Sequence, residues 1–318
     1  MHQLKSLTLL FAVLLVGACA RAPIQPLQLD HLPAQVELSE TPFHPQEDYQ
    51  CGPAALATVL GQRGVEVSPQ ALTPRVFLPG REGSLQVELV AAARRQGMLA
   101  YPLQPTLESL LGEVAAGNPV LVLQNLGFDW WPQWHYAVVV GYDRADKSVL
   151  LRSGTERRQR LSLTNFDATW ARGGRWAILT LPPERMPAEV EVSRWLQAAS
   201  DLEQTGQTET AARAYRSASE RWPNDPLAWF ALGNSQYAAG RIDAAETSLR
   251  RATQGQPPLP AAWNNFAHLL AERGCGPEAG AAFACARKLA PQDSRLQAPK
   301  STAPLAGSCS EPPACPAP

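Results

Sequence analysis

Apolar and polar residues change period several times along the chain, and each change predicts an element. Leu7 to Val16 is an unbroken apolar run, preceded by Lys5 and closed by the small residues Gly17 and Ala18. From Cys51 the sequence reads Cys51-Gly52-Pro53-Ala54-Ala55-Leu56-Ala57-Thr58-Val59-Leu60 and stops at Gly61 to Gly64. That pattern predicts a helix with Cys51 at its start, and Pro53 suits a first helical turn, where its missing N–H is no loss. A second helix is predicted over Ser84 to Gln96, stopped by Gly97, and a third over Thr106 to Ala116, capped by Thr106 and stopped by Gly117. The period then shortens. Pro119 to Leu123 and Tyr136 to Val140 read as buried strands, Asp143 to Lys147 as a turn into Val149-Leu150-Leu151, and Trp176 to Leu181 as a last strand. Helices first and antiparallel strands afterwards predict an α+β domain.

Beyond a linker marked by Pro182, Pro183 and Pro187 the pattern repeats. Trp195, Trp229 and Trp263 are 34 apart, and so are Gly206, Gly240 and Gly274, Ala211, Ala245 and Ala279, Ala218, Ala252 and Ala286, and Pro223, Pro257 and Pro291. Tyr215, Leu249 and Phe283 share the spacing. This resembles the tetratricopeptide repeat, a pair of antiparallel helices whose small residues let neighbours approach closely. The repeats fall at 192–225, 226–259 and 260–293, the first being the most worn, with Ala198-Ala199 where the second has Leu232-Gly233. Such arrays normally end in a solvating helix, and only Ser294 to Ala298 could supply one. Residues 294–318 are Pro-rich and expected to be disordered. Cys275, Cys285, Cys309 and Cys315 allow three pairings, one outcome being a tail folded back and stapled over the third repeat.

Composition changes the picture at three points. A chain of 318 residues with 45% hydrophobic and 18% charged residues can bury more than one core. Its net charge of -1 gives nucleic-acid binding no support at the level of the whole chain. Proline, at 29 residues, clusters between the predicted pieces. The Leu7–Val16 run, rising about 1.5 Å per residue, is too short for a hydrocarbon layer about 30 Å thick, so residues 1–18 read as a signal peptide. Val16-Gly17-Ala18-Cys19 resembles a bacterial lipobox, which implies acylation of Cys19 and, in double-membraned bacteria, the periplasmic face of the outer membrane. Residues 19–39, with Pro23, Pro26 and Pro33, are expected to form an extended tether to the first domain at 40–183.

The chemistry of that domain rests on two residues. A cysteine at a helix N-terminus meets the positive end of the macrodipole, which lowers thiol pKa and favours the thiolate. His135, at the head of a strand, is a better placed base than His31, His44 or His268. A helix-borne cysteine followed by a strand-borne histidine is the order of papain-like enzymes. Gln46-Glu47-Asp48-Tyr49-Gln50-Cys51-Gly52-Pro53-Ala54-Ala55-Leu56, with His135-Tyr136-Ala137-Val138-Val139-Val140-Gly141-Tyr142-Asp143, resembles the papain-fold, double-glycine-type peptidases that process bacteriocin leaders. The resemblance implies that Cys51 is the nucleophile, His135 the general base, and Gln46 an oxyanion donor beside the Cys51 N–H, with Gln50 as second choice. It also implies an Asp at the end of the strand after the histidine strand. Here that strand ends Leu150-Leu151-Arg152-Ser153-Gly154. Ser153 can take the histidine hydrogen bond weakly, and Asp143 could do so only if its turn folds back. Loss of the orienting carboxylate costs about ten-thousand-fold in serine-protease triads. Trp130, Trp131 and Trp134, with Phe128, crowd the loop before His135 and are candidates for a substrate-groove wall or a packed rim.

The expected whole is a papain-like cysteine peptidase domain followed by an all-α repeat solenoid. It would be exported, anchored through lipid on Cys19, and would act on a peptide or protein recruited by residues 192–293. The alternative is a weak or inactive peptidase fold serving as an adaptor for protein partners at the membrane. Acyl transfer or deamidation would use the same constellation. No HExxH, paired CxxC or Gly-rich phosphate loop is present, so no metal or cofactor is expected.

Overall fold

The computed structural model describes residues 29–46, 50–300 and 309–317. The expected signal peptide and Cys19 lie outside them. The described residues from Pro33 onward form one compact unit.

Within it, β1 (Gln35–Glu37) precedes α1 (Cys51–Gly61) and α2 (Pro69–Val76). A small hairpin of β2 (Phe77–Leu78) and β3 (Gly83–Ser84) leads to α3 (Gln86–Arg95), β4 (Leu99–Pro102) and α4 (Leu107–Ala115). Then come β5 (Val120–Asn125), β6 (Trp134–Asp143), β7 (Ser148–Ser153), β8 (Glu156–Ser162), α5 (Leu163–Arg172) and β9 (Ala177–Leu181). The main sheet is antiparallel, in the order β4-β9-β5-β6-β7-β8, with β1 added to the far half of β6. Gly141 admits β1, because a Cβ there would stand 2.5 Å from the Val36 carbonyl oxygen.

The central helix is α1, buried from Gly52 to Leu60 and therefore apolar all round. It packs with Leu72 and Val76 of α2 and Leu89, Ala92 and Ala93 of α3 against Leu121, Leu123, Val138, Val140, Leu150 and Ile178 of the sheet. Alternate strand residues such as Val122, Val139, Val149 and Leu151 are buried as well. Both faces of the sheet are thus covered, which is why β5 and β6 read as continuous apolar runs.

Two expectations are corrected here. The stretch expected to be tether up to residue 39 joins the sheet from Gln35, pairing with Asp143, Tyr142 and Gly141. The order is also less segregated than helices then strands, since β1 precedes α1, β2 to β4 fall among the helices, and α5 falls among the later strands; α2, α5 and β8 are not among the expected elements. The exposed, arginine-rich β8 has its alternate face in water, so its apolar content is low.

The linker after β9 is fastened. Buried Glu113 accepts hydrogen bonds from the N–H groups of Ala188 and Glu189, Asn118 accepts from Arg63 and Arg185, and the Glu191 N–H donates to the Tyr101 hydroxyl. The repeats follow as α6 (Val192–Gln204) and α7 (Thr208–Arg221), α8 (Pro226–Ala238) and α9 (Ile242–Thr253), and α10 (Pro260–Glu272) and α11 (Gly276–Leu289). Trp195 lies 6.5 Å from the Tyr101 ring, and Asp201 pairs with Arg94, so α6 joins the array to the sheet domain.

The tail differs from the disordered segment expected. Cys275 is bonded to Cys309 and Cys285 to Cys315. Arg250 donates to the carbonyls of Ser310 and Glu311, and Leu296 and Cys315 pack on the core of the third repeat. Residues 309–317 therefore cover a face that a solvating helix would otherwise take.

Candidate active site

Cys51 opens α1 after Gln50, whose backbone is not yet helical. Gly52 is required by its surroundings, since a Cβ there would come 2.4 Å from the Ser84 hydroxyl oxygen. The backbone N–H groups of Tyr136, Gly52 and Cys51 donate toward the sulfur and pull the thiol pKa down, but burial outweighs them and leaves the thiol above its ordinary value. This reverses the direction expected from the helix dipole alone. The reason is that α1 starts against the core with Cys51 partly buried on it, and the desolvation there disfavours the thiolate more than the helix end favours it.

His135 is the second residue of β6, opposite Gln124 of β5. Its Nε2 lies 2.8 Å from the Ser153 hydroxyl on β7, leaving Nδ1 as the other ring nitrogen. Burial pushes the imidazole below its ordinary pKa. Ser153 thus stands beside His135 where the resemblance implied a carboxylate. Asp143 does not compete for it. It closes the opposite end of β6, roughly 26 Å away along an extended strand, and its carboxylate accepts the Asp146 N–H.

Gln46 reaches the site by a backbone anchor, its N–H donating to the Gly154 carbonyl at 3.0 Å. Its side-chain amide points at the Tyr136 carbonyl at 3.4 Å, which leaves the second amide hydrogen for another acceptor. Buried Arg152, next to Ser153, holds the same arm through the carbonyls of Leu38, Ser39 and Thr41. Gln50 uses its carbonyl to accept the Ala54 N–H and does not line the cleft.

Cys51, His135, Gln46 and Tyr136 line one cleft of about 1170 Å³. Its further walls are Arg81 to Gln86 on one side, Pro132 to Trp134 on another, and Arg172 to Gly174 at the end of α5. Trp134 is a wall residue as expected, whereas Trp130 and Trp131 are not. Sequence reasoning missed Tyr136 as a site residue although it adjoins His135. Its hydroxyl donates to the Ser84 carbonyl, and burial together with the neighbouring Cys51 thiolate charge raises its pKa. It also missed Gly173, where a Cβ would meet the Leu123 carbonyl oxygen at 2.2 Å. The Gly173-Gly174 pair signals a turn, but only the tertiary fold brings it to the cleft. Among the described residues one group carries metal-ligand types, Cys275, Glu278 and Cys309, and its two sulfurs are joined to each other.

Comparison with known proteins follows this geometry. Residues 40–182 match the Peptidase C39 family, and residues 196–260 and 233–294 match the tetratricopeptide repeat. No curated protein matches the chain. Among solved structures, a C39-like peptidase from Bacillus anthracis is 20% identical with a TM-score of 0.41, covering 49% of this chain and 100% of its own. The peptidase domain of Streptococcus ComA, a bifunctional ABC transporter involved in a quorum sensing pathway, is 23% identical with a TM-score of 0.37, covering 45% of this chain and 99% of its own. The chain therefore carries a Peptidase C39 domain followed by tetratricopeptide repeats.

Proposed function

We propose that this protein is an exported cysteine peptidase, anchored by lipid on Cys19 at the periplasmic face of the outer membrane, acting on a peptide or protein that its repeats recruit. The observation that carries the chemistry is the His135 Nε2 to Ser153 contact of 2.8 Å in the cleft that also holds Cys51 and Gln46. With Nε2 held, Nδ1 is the nitrogen that takes the thiol proton as Cys51 attacks a carbonyl, and that later returns it to the leaving amine. The oxyanion would sit between the Cys51 N–H and the free amide hydrogen of Gln46.

The two pKa directions define the resting state. A thiol pushed up and an imidazole pushed down favour a neutral pair, so the proton moves when substrate arrives rather than before. The serine in place of a carboxylate acts in the same sense, because a neutral hydroxyl stabilises imidazolium less than an anion does. These observations also support the adaptor reading, in which the cleft binds but does not turn over.

The two readings part on whether Cys51 attacks an electrophile held in the cleft. A peptidyl vinyl sulfone should form an adduct at Cys51 in the full chain, read by intact mass, with the rate falling about a hundredfold or more in His135→Ala. Absence of the adduct in the unaltered chain would leave the adaptor.

A further inference from the structure

Among the described residues, five of the eight large apolar side chains left in solvent gather at one place, the others being Val87, Leu227 and Tyr237. Leu126, Phe128, Trp130, Trp131 and Trp134 are 49%, 65%, 78%, 64% and 56% exposed, and all lie in the hairpin that joins β5 to β6 or at its root. The hairpin is built rather than loose. The Asn125 side-chain oxygen accepts the N–H groups of Gly127 and Gln133, and its amide donates to the Phe128 carbonyl. The Leu126 N–H donates to the Gln133 carbonyl, and Phe128 and Trp131 exchange N–H to carbonyl bonds in both directions. A Cβ at Gly127 would stand 2.3 Å from the Trp131 carbonyl oxygen, so the turn needs a glycine there. Phe128 stacks on Trp130 at 5.7 Å, and Trp130 meets Trp131 edge-on at 6.2 Å. The outcome is a fixed aromatic wedge, with the backbone N–H groups of Leu126, Gly127, Phe128, Trp131 and Gln133 bonded within the hairpin.

Three occupants could cover it, and two fit poorly. A ligand in the cleft reaches Pro132, Gln133 and Trp134, but Phe128, Trp130 and Trp131 are not among the cleft walls. A second copy would need about 20 to 30 residues a side, far more than one hairpin offers. A lipid interface fits better. It accepts tryptophan and phenylalanine rings at the headgroup level, where backbone groups at the tip stay within reach of water and headgroups.

We propose that the wedge at Phe128–Trp131 seats in the headgroup and upper acyl layer of a bilayer. Asp129, between Phe128 and Trp130, fixes the depth, since a carboxylate stays with the headgroups while the rings beside it bury. It also fixes the lipid preference. Asp129 on the wedge offsets Arg172 at its root, which donates to the Asn125 carbonyl, so the hairpin offers no net cationic charge to anionic lipid and binding proceeds on zwitterionic membrane. The stretch from Cys19 to Gln35 spans about 50 Å at roughly 3.1 Å per residue. Gln35 pairs with Asp143 at the end of β6 away from the wedge, a separation shorter than that span, so a chain acylated at Cys19 would keep the wedge within reach of that membrane. Because Trp134 also forms part of the cleft wall, docking brings the mouth of the cleft to the bilayer surface. The inference does not depend on the cleft being catalytic.

The test is quenching of tryptophan emission in the full chain by vesicles of brominated phosphatidylcholine. The sequence before Phe128 contains no tryptophan, so insertion of the N-terminal apolar run is silent in this readout. Emission should be quenched and shifted to the blue, and Trp130→Ala with Trp131→Ala should cut the quenching by at least about threefold. If that double variant does not fold, Trp130→Lys at the most exposed ring serves in its place. Vesicle binding without quenching, quenching indifferent to both variants, or quenching that needs anionic lipid would overturn the proposal.

Discussion

In the repeats one backbone requirement is met three times. Gly206, Gly240 and Gly274 hold φ angles of +84°, +72° and +79° at the same place in the period, where a residue with a side chain would be strained. The buried alanines repeat likewise, and the position after Leu232 is a glycine because a Cβ would come 2.8 Å from Leu249. In the cleft every requirement occurs once. Gly52 answers to Ser84, Gly173 to Leu123, and Ser153 alone faces His135 Nε2. The worn first repeat still forms both of its helices, whereas a change at the site changes the chemistry.

That contrast can be sharpened, beginning with the largest effect. The disulfides close the array and leave the cleft alone, with loops of 34 and 30 residues. Replacing Cys275 and Cys285 by serine should remove about 3 to 4 kcal/mol per loop in the chain-entropy picture. Urea unfolding of the full chain should show the loss in the helical signal, with the alkylation rate of Cys51 in native buffer unchanged. A helical midpoint that does not move would mean that the tail is not what closes the array. The cleft should show the converse behaviour. Ser153→Asp restores an anion beside His135, which raises the imidazole pKa and should speed alkylation of Cys51 by a peptidyl vinyl sulfone about tenfold near neutral pH, with little change in the unfolding midpoint. A slower Ser153→Asp variant would show that the hydroxyl is there for fit and not as a weak substitute for charge.

The two regions also differ in how much of them the sequence reveals. Three copies allow the chain to be compared with itself, and the six helices fall where the 34-residue spacing puts them. In the peptidase domain the strong signals hold. Cys51 starts α1, Thr106 caps α4 by accepting the Ser109 N–H, and Gly97 and Gly117 end their helices at positive φ. The strand β1 was hidden because its proline-rich surroundings read as tether, and β8 because arginines fill it. The site was legible as residue types in order, but not in its electrostatics. The depth at which α1 begins decides the thiol pKa, and no local pattern states that depth. The pairing of Ser153 with His135 could be expected from strand order. The approach of Arg172 to Gly174 could not.

The most direct test of the neutral resting pair is the rate of iodoacetamide labelling at Cys51 against pH, in the unaltered chain and in His135→Ala. Only the thiolate reacts, so a thiol held above its ordinary value gives a rate that climbs about tenfold per pH unit and is still rising past about 8.5. His135→Ala should shift that curve little, because the small reagent does not need the base. A plateau reached below about pH 7 and lost in His135→Ala would show a thiolate and imidazolium already formed at rest, and would contradict this account of the site.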